Sequence, residues 1–284
     1  VENCSFFNNT ARYGSVLYTK GANASLNNSK FYQNIAHLGL FYSNSAPFFT
    51  IDITRSIIAN NSGNCSIGLI EDGKLNITNS VIIDNIVFDD SEYNAFSRFG
   101  TQIYDPILDL NDNYWGSNNP DFSNISFREN ETLETSSWIV AALSPSSDLT
   151  RISGEENSFT TDLNNVEIAI DFTKNNNNEN INFIADEYVP DLETDFGILS
   201  EITETSNGYS TAILNVNSNG IANISLNGEP LADITVELEN DVSLIITVDN
   251  ITEGENANVE VNLTVKDNSS SEGEISFNNI NQSA

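Results

Sequence analysis

The residues able to do chemistry are few. The 284-residue chain has two cysteines, one histidine and five arginines. Cys4 and Cys65 form no C-x-x-C pair, and His37 alone cannot complete a zinc site with them. The thiols should lie two repeats apart, about 10 Å at the strand-pairing spacing and on different faces. That is too far for a disulfide, so both read as free, buried thiols. Polysaccharide lyases and hydrolases need clustered carboxylates, often beside a cation or a metal. Arg12, Arg55, Arg98, Arg128 and Arg151 do not recur in one register. His37 falls where the preceding repeat has Arg12, and a surface turn is expected there. Asp89 and Asp90 read as solvated loop charges. Asp109-Leu110-Asn111-Asp112-Asn113 opens like a calcium loop but fails soon after. Tyr114 takes the glycine position and Pro120 that of the bidentate glutamate. The sequence therefore assigns no catalytic, cofactor-binding or metal-binding residue and specifies no ligand-binding residue. No cofactor and no catalysis are expected.

Composition narrows the partners. Ten Lys+Arg against 41 Asp+Glu give a formal net charge of −31. Nucleic acid needs cationic contacts to its phosphates, and anionic lipid is disfavoured for the same reason. Such a charge keeps an exposed protein soluble and can collect divalent cations. Asparagine accounts for 45 residues, which suits many short strands joined by tight turns. No run of 18 apolar residues occurs, so no membrane-spanning helix is expected. Fourteen Asn-x-Ser/Thr sequons, beginning at Asn3, Asn8, Asn23 and Asn27, make glycosylation an expectation for a secreted chain. The chain has no Met and opens inside a repeat. It reads as a piece of a longer protein whose other parts carry export and anchoring.

The elements that would hold these residues are repeats. One motif returns four times: Asn3-Cys4-Ser5-Phe6-Phe7-Asn8-Asn9, Asn28-Ser29-Lys30-Phe31-Tyr32-Gln33-Asn34, Arg55-Ser56-Ile57-Ile58-Ala59-Asn60-Asn61 and Asn79-Ser80-Val81-Ile82-Ile83-Asp84-Asn85. Asp112-Asn113-Tyr114-Trp115-Gly116-Ser117-Asn118 is a degenerate fifth copy. The first four are spaced by 25, 27 and 24 residues, and the last by 33. An insertion near Phe88–Tyr104 is expected to loop out. Local alternation, as in Lys74-Leu75-Asn76-Ile77-Thr78, is strand-like. Stacked repeats would align Phe6, Phe31, Ile58, Ile82 and Trp115 as an interior column. Cys4, Ser29, Ser56 and Ser80 would form a small-residue ladder. Asn9, Asn34, Asn61, Asn85 and Asn118 would form an amide ladder at a turn. No repeat is stable alone.

These motifs resemble the right-handed β-helix repeats of surface proteins. Asp112-Asn113-Tyr114-Trp115-Gly116-Ser117-Asn118 is similar to the Asn-x-Trp-Gly-x-Asn signature closing the β-helix of adhesin-like proteins from methanogenic archaea. The resemblance implies a pectin-lyase-like, right-handed parallel β-helix over residues 1–136.

From Trp138 the pattern changes. Strand-like runs at Val166–Thr173, Asn182–Ala185, Ser210–Val216, Gly220–Leu226 and Ile234–Leu238 suit a β-sandwich. Residues 137–241 resemble the bacterial Ig-like domains of invasin- and intimin-type adhesins. The landmarks are Ser153-Gly154-Glu155-Glu156-Asn157-Ser158, Thr161-Asp162-Leu163, Val189-Pro190-Asp191, Phe196-Gly197 and Asn219-Gly220-Ile221-Ala222-Asn223-Ile224. Val242–Val248 and Asn258–Val265 begin a new pattern. Residues 242–284 read as the truncated start of a further Ig-like domain, which would expose strand edges. The expectation is an all-β, extracellular, cell-surface adhesin-like protein: a β-helix on Ig-like spacers, binding other cells, a host surface or polysaccharide. A structural stalk or cell-wall component without a specific ligand is one alternative, and a carbohydrate-active enzyme is the other.

Overall fold

Short strands close into repeats because left-handed residues turn the chain at both ends of each motif strand. Asn3, Asn28, Arg55, Asn79 and Asp112 all have φ between 47° and 55°. Asn8, Gln33, Asn60 and Asp84 form a second such set, with φ between 53° and 57°. Asn and Asp tolerate this region better than other side chains. The abundance of Asn at these positions is therefore a backbone requirement repeated once per corner.

The computed structural model describes residues 1–43, 49–70, 73–88, 95–98, 107–122, 135–144, 148–182, 184–238, 242–248 and 259–265. It is all-β, with no helix among the described residues. The first repeat contains β1 (Ser5–Phe7), β2 (Thr10–Tyr13), β3 (Leu17–Thr19) and β4 (Ala24–Asn27). The second contains β5 (Lys30–Tyr32), β6 (Ile35–Leu38), β7 (Phe41–Ser43) and β8 (Thr50–Thr54). The third contains β9 (Ile57–Ala59), β10 (Ser62–Gly63), β11 (Gly68–Ile70) and β12 (Lys74–Thr78). The fourth contains β13 (Val81–Ile83), β14 (Ile86–Val87), β15 (Phe96–Arg98) and β16 (Ile107–Asp109). Each strand pairs in parallel with the strand four later, giving four parallel sheets of four strands. The registers Phe6↔Phe31, Phe31↔Ile58 and Ile82↔Ile58 agree with the expected column. Phe31, Ile58 and Ile82 are buried with Leu26, Ile53, Ile77 and Phe41 in one core, and Trp115 packs on its margin.

Both ladders form, with a direction. Cys4 N–H donates to Ser29 Oγ, Ser29 N–H to Ser56 Oγ, and Ser56 N–H to Ser80 Oγ. Ser80 N–H then donates to Asn113 Oδ1. Asn9 Nδ2 donates to Asn34 Oδ1, Asn34 Nδ2 to Asn61 Oδ1, and Asn61 Nδ2 to Asn85 Oδ1, at 2.9–3.0 Å. The same amides donate backwards to Phe6, Phe31 and Ile58 carbonyls. A buried amide thus has its hydrogen-bonding capacity met by the repeats on either side.

Four expectations need correction. Asn118 leaves the ladder: its Nδ2 donates to the Ala141 carbonyl and its Oδ1 accepts from Ala141 N–H. The segment expected to loop out contains β15, which pairs with β11 and buries Phe96. His37 lies in strand β6 rather than a turn. Cys4 is exposed, at the first rung of the small-residue ladder; Cys65 is buried, its thiol donating to the Gly68 carbonyl, and neither forms a disulfide. Asp89 and Asp90 lie outside the described residues.

Between Ile139 and Val236 the described strands form two sheets around a second core. These elements are β17 (Ile139–Leu143), β18 (Thr150–Arg151), β19 (Ser158–Thr161), β20 (Asn165–Asn175), β21 (Leu192–Thr194), β22 (Ile198–Leu199), β23 (Tyr209–Asn215), β24 (Gly220–Leu226) and β25 (Glu229–Val236). One sheet runs β17-β20-β23-β22 and the other β18-β19-β25-β24-β21. All pairs are antiparallel except β19 with β25. Alternation buries Val166, Ile168, Ile170 and Phe172 from β20 against Phe159, Ala222, Ile224 and Ile234. No strand is formed by the described residues Asn182, Ile184 and Ala185, and Phe183 lies outside the described residues. Ile184 and Ala185 are nonetheless buried, in a connection that covers the core. Finally, β26 (Val242–Val248) and β27 (Val259–Val265) pair antiparallel.

Candidate functional site

The two parts share a seam built on the outer face of the β1-β5-β9-β13 sheet. Ile58 and Ile82 point into the stack, so their neighbours Ile57, Ala59 and Val81 point outward. Those three are buried in the second core, together with Ile139, Phe172, Tyr188 and Leu226. Burial on both faces accounts for the unbroken apolar runs Ile57-Ile58-Ala59 and Val81-Ile82-Ile83. The first two copies carry Ser5 and Lys30 at the equivalent of Ile57. That change was legible as a signal that the later repeats face protein instead of water.

Backbone pairing continues across the seam. Tyr114 bridges Val81 in parallel, and Trp138 bridges Asn113. Trp138 N–H donates to Asn176 Oδ1, and Trp138 Nε1 to the Asn118 carbonyl. Asn175 Nδ2 reaches Asp112 Oδ1.

One polar knot closes it. Asn227 has φ 50°, in the turn between β24 and β25. Its Nδ2 donates to Tyr114 Oη at 2.9 Å, to Tyr188 Oη at 3.1 Å and to the Gly116 carbonyl at 3.2 Å. Its Oδ1 accepts from Asp191 N–H and from the Tyr188 hydroxyl. Tyr114, Phe172 and Tyr188 pack edge to face or tilted around it, with centroids 5.1–6.2 Å apart. Burial pushes the Tyr114 phenol well above its ordinary value; neighbouring Tyr188 adds to this, and the Asn227 bond opposes it. Burial does the same to Tyr188, again opposed by Asn227. Tyr32, at the seam margin, is raised by burial and then by Glu204 and Glu187.

Two of the clefts along the seam carry several charged side chains. One, of about 160 Å³, is lined by Cys4, Lys30, Arg55, Asp186 and Glu187 among others. Lys30 pairs there with Glu187. The Cys4 thiol donates to the Glu2 carbonyl. The other, of about 350 Å³, is lined by Asp84, Trp115, Asp191, Asn227 and Glu229 among others. The candidate calcium segment is internally satisfied: Asp109 Oδ1 accepts from Asn111 N–H and Nδ2, and Asn111 Oδ1 accepts from Ser136 and Ser137 N–H. Among the described residues, no group of three or more His, Cys, Asp or Glu is placed to hold a metal ion. No helix among them is long and apolar enough to cross a membrane.

Among the described side chains, Arg12, Arg55 and Arg151 lie apart from one another. Arg12 stands over the Tyr13 ring, Arg55 lines the smaller cleft, and Arg151 donates to the Glu156 carbonyl and stands over Phe159. Arg128 lies outside the described residues. The outward face near the first repeat instead carries aromatic side chains: Phe7 is 60% exposed, Tyr18 48% and Tyr13 40%.

No family description, curated protein or solved structure matches the chain.

Proposed function

We propose that this is a cell-surface adhesin-like protein. In this reading residues 1–136 are a right-handed parallel β-helix of the pectin-lyase-like kind. Residues 137–241 are an Ig-like sandwich and 242–284 the start of a further one, serving as spacers. The parts are extracellular and perform no catalysis; their partners are other cells, a host surface or polysaccharide. The supporting observation is the parallel pairing of every strand of the first three repeats with the strand four later, which aligns four repeats in four sheets. A stack of that kind presents long ladder-built faces, and its length scales with repeat number.

The test is direct. Fluorescently labelled full chain is applied to panels of microbial and host cells and to a glycan array. Saturable binding to at least one surface is expected. Absence of binding throughout would refute the adhesin reading.

A further inference from the structure

One Asn-x-Ser sequon stands where the stack does not require it. Asn60-Asn61-Ser62 spans the corner between β9 and β10 in the third repeat. Asn60 is the left-handed residue of that corner, with φ 57°, and it is exposed. Repeats lie on both sides of it. The strand registers place Gln33 of the second repeat and Asp84 of the fourth at the same corner, and both are left-handed too. Ser62 is the register partner of Ile35 and Ile86. Those two isoleucines are exposed, so this column faces outward. The neighbouring repeats thus build the same corner with neither the asparagine nor the hydroxyl. A left-handed corner and an outward strand position do not by themselves call for Asn60 and Ser62 together.

A free amide sets Asn60 apart from the other acceptors. Its backbone N–H donates to the Ile83 carbonyl, but its side chain makes no hydrogen bond. Elsewhere the fold uses the amide. Asn64 Nδ2 stands 3.2 Å from His37 Nδ1. Asn76 Nδ2 donates to Asp52 Oδ1 at 2.6 Å, and its Oδ1 is buried. Asn223 Nδ2 donates to Asp195 Oδ2 at 2.6 Å. A sugar on any of these nitrogens would crowd the partner it already holds. Asn3, Asn8, Asn23 and Asn27 lie in the first repeat, which has a neighbour on one side only. The side chains of Asn124, Asn130, Asn250, Asn262, Asn268 and Asn281 lie outside the described residues. Among the described acceptors with structure on both sides, Asn60 alone combines exposure with an unbonded amide.

From this we infer that Asn60 is an N-glycan acceptor. The co-reactant is an oligosaccharide linked through phosphate to a lipid, delivered by a glycosyltransferase. Asn60 Nδ2 forms a bond to the anomeric carbon of the first sugar. The bond from that carbon to the phosphate oxygen breaks, and the lipid phosphate leaves. The amide nitrogen gives up one of its two protons, and nothing is oxidised or reduced. The inference rests on the extracellular part of the adhesin reading, because sequons are modified on secreted chains. The glycan leaves the chain beside the seam. Ile57 and Ala59, in the strand that ends at this corner, are buried in the second core. Asp84, next in the corner column, lines the larger cleft. A bulky, solubilising group there shields the margin of the seam.

The test is site occupancy. The full chain is secreted from a glycosylating host behind a cleavable signal, and its glycopeptides are mapped by mass spectrometry. Glycan on most copies of Asn60 is expected, with Asn64, Asn76 and Asn223 empty. Ser62→Ala should abolish the Asn60 glycan, whereas Ser62→Thr should keep it. Asn60→Asp, which copies the corner of the fourth repeat, should also remove it and keeps the test valid if Ser62→Ala fails to fold. An empty Asn60 in folded, secreted chain overturns the inference, and so does equal occupancy at Asn76. Cell binding is measured on the same samples. Absence of binding with Asn60 occupied overturns the adhesin reading alone. Binding with Asn60 empty overturns the acceptor alone, and loss of both overturns the two together.

Discussion

Asn61 provides the sharpest test of what holds the stack. Its side chain is fully buried and makes four hydrogen bonds. Oδ1 accepts from Asn34 N–H and Asn34 Nδ2, both at 3.0 Å. Nδ2 donates to the Phe31 carbonyl and to Asn85 Oδ1, both at 2.9 Å. Replacement by alanine removes all four. Asn34 Nδ2 keeps Phe6 and Asn85 Oδ1 keeps Asn61 N–H, but the buried Asn34 N–H loses its acceptor. At about 1 kcal/mol net per bond, with an added penalty for the orphaned donor, Asn61→Ala should cost about 3–5 kcal/mol. Asn9 is the internal control. It is exposed at the ladder's end, and its side chain donates one bond, to Asn34 Oδ1. Asn9→Ala should cost about 0.5–1 kcal/mol. Urea titration followed by far-UV circular dichroism separates them, with a midpoint shift above about 1 M for Asn61→Ala and a far smaller one for Asn9→Ala. Equal shifts would show that the amide ladder is incidental to a stack held by apolar packing alone.

Four further outcomes follow from the same geometry. Arg55 occupies a left-handed corner where its counterparts are Asn or Asp; Arg55→Asn should stabilise by about 0.5–1 kcal/mol in thermal melts, by removing Cβ strain. Asn227→Gly keeps the left-handed turn while deleting the amide that joins both tyrosines, and a loss of about 2–4 kcal/mol is expected in the same assay. Tyr114 and Tyr188 have folded pKa values raised above the unfolded value near 10. Their contribution is present below that value and is lost as pH rises beyond it, so their phenolate absorbance should appear only together with alkaline unfolding. Asp195 accepts Asn223 Nδ2 and N–H, and these bonds hold its carboxyl below the ordinary range. Its contribution is present above pH about 4 and lost as pH falls lower; Asp195→Asn should flatten that part of an acid melt series.

The ladders were legible because stacking demands the same small or amide side chain at one place in every repeat. Cys4, Ser29, Ser56 and Ser80 could be aligned without coordinates. Asn118 misled for the same reason: it matched the motif, but beyond Tyr114 the chain turns towards β17 and its amide serves Ala141. The strand expected over 182–185 misled differently, since apolar residues that cover a core need not pair in a sheet. The seam was hidden because Tyr114, Tyr188 and Asn227 each occur once and meet across 113 residues of chain. Only the doubly apolar runs at Ile57–Ala59 and Val81–Ile83 hinted at it.

The ladders are polar: within both, each repeat donates its N–H to a side chain of the repeat that follows. A repeat therefore leaves the next one a surface of the same kind as the one it received. Duplicating a segment of 24–27 residues in the gene would insert a rung whose two faces already match their new neighbours. The height of the stack can then change by whole rungs while the seam core, built on Ile57, Ala59, Val81 and Tyr114, is left intact. Such a molecule can change its reach without redesigning any interface.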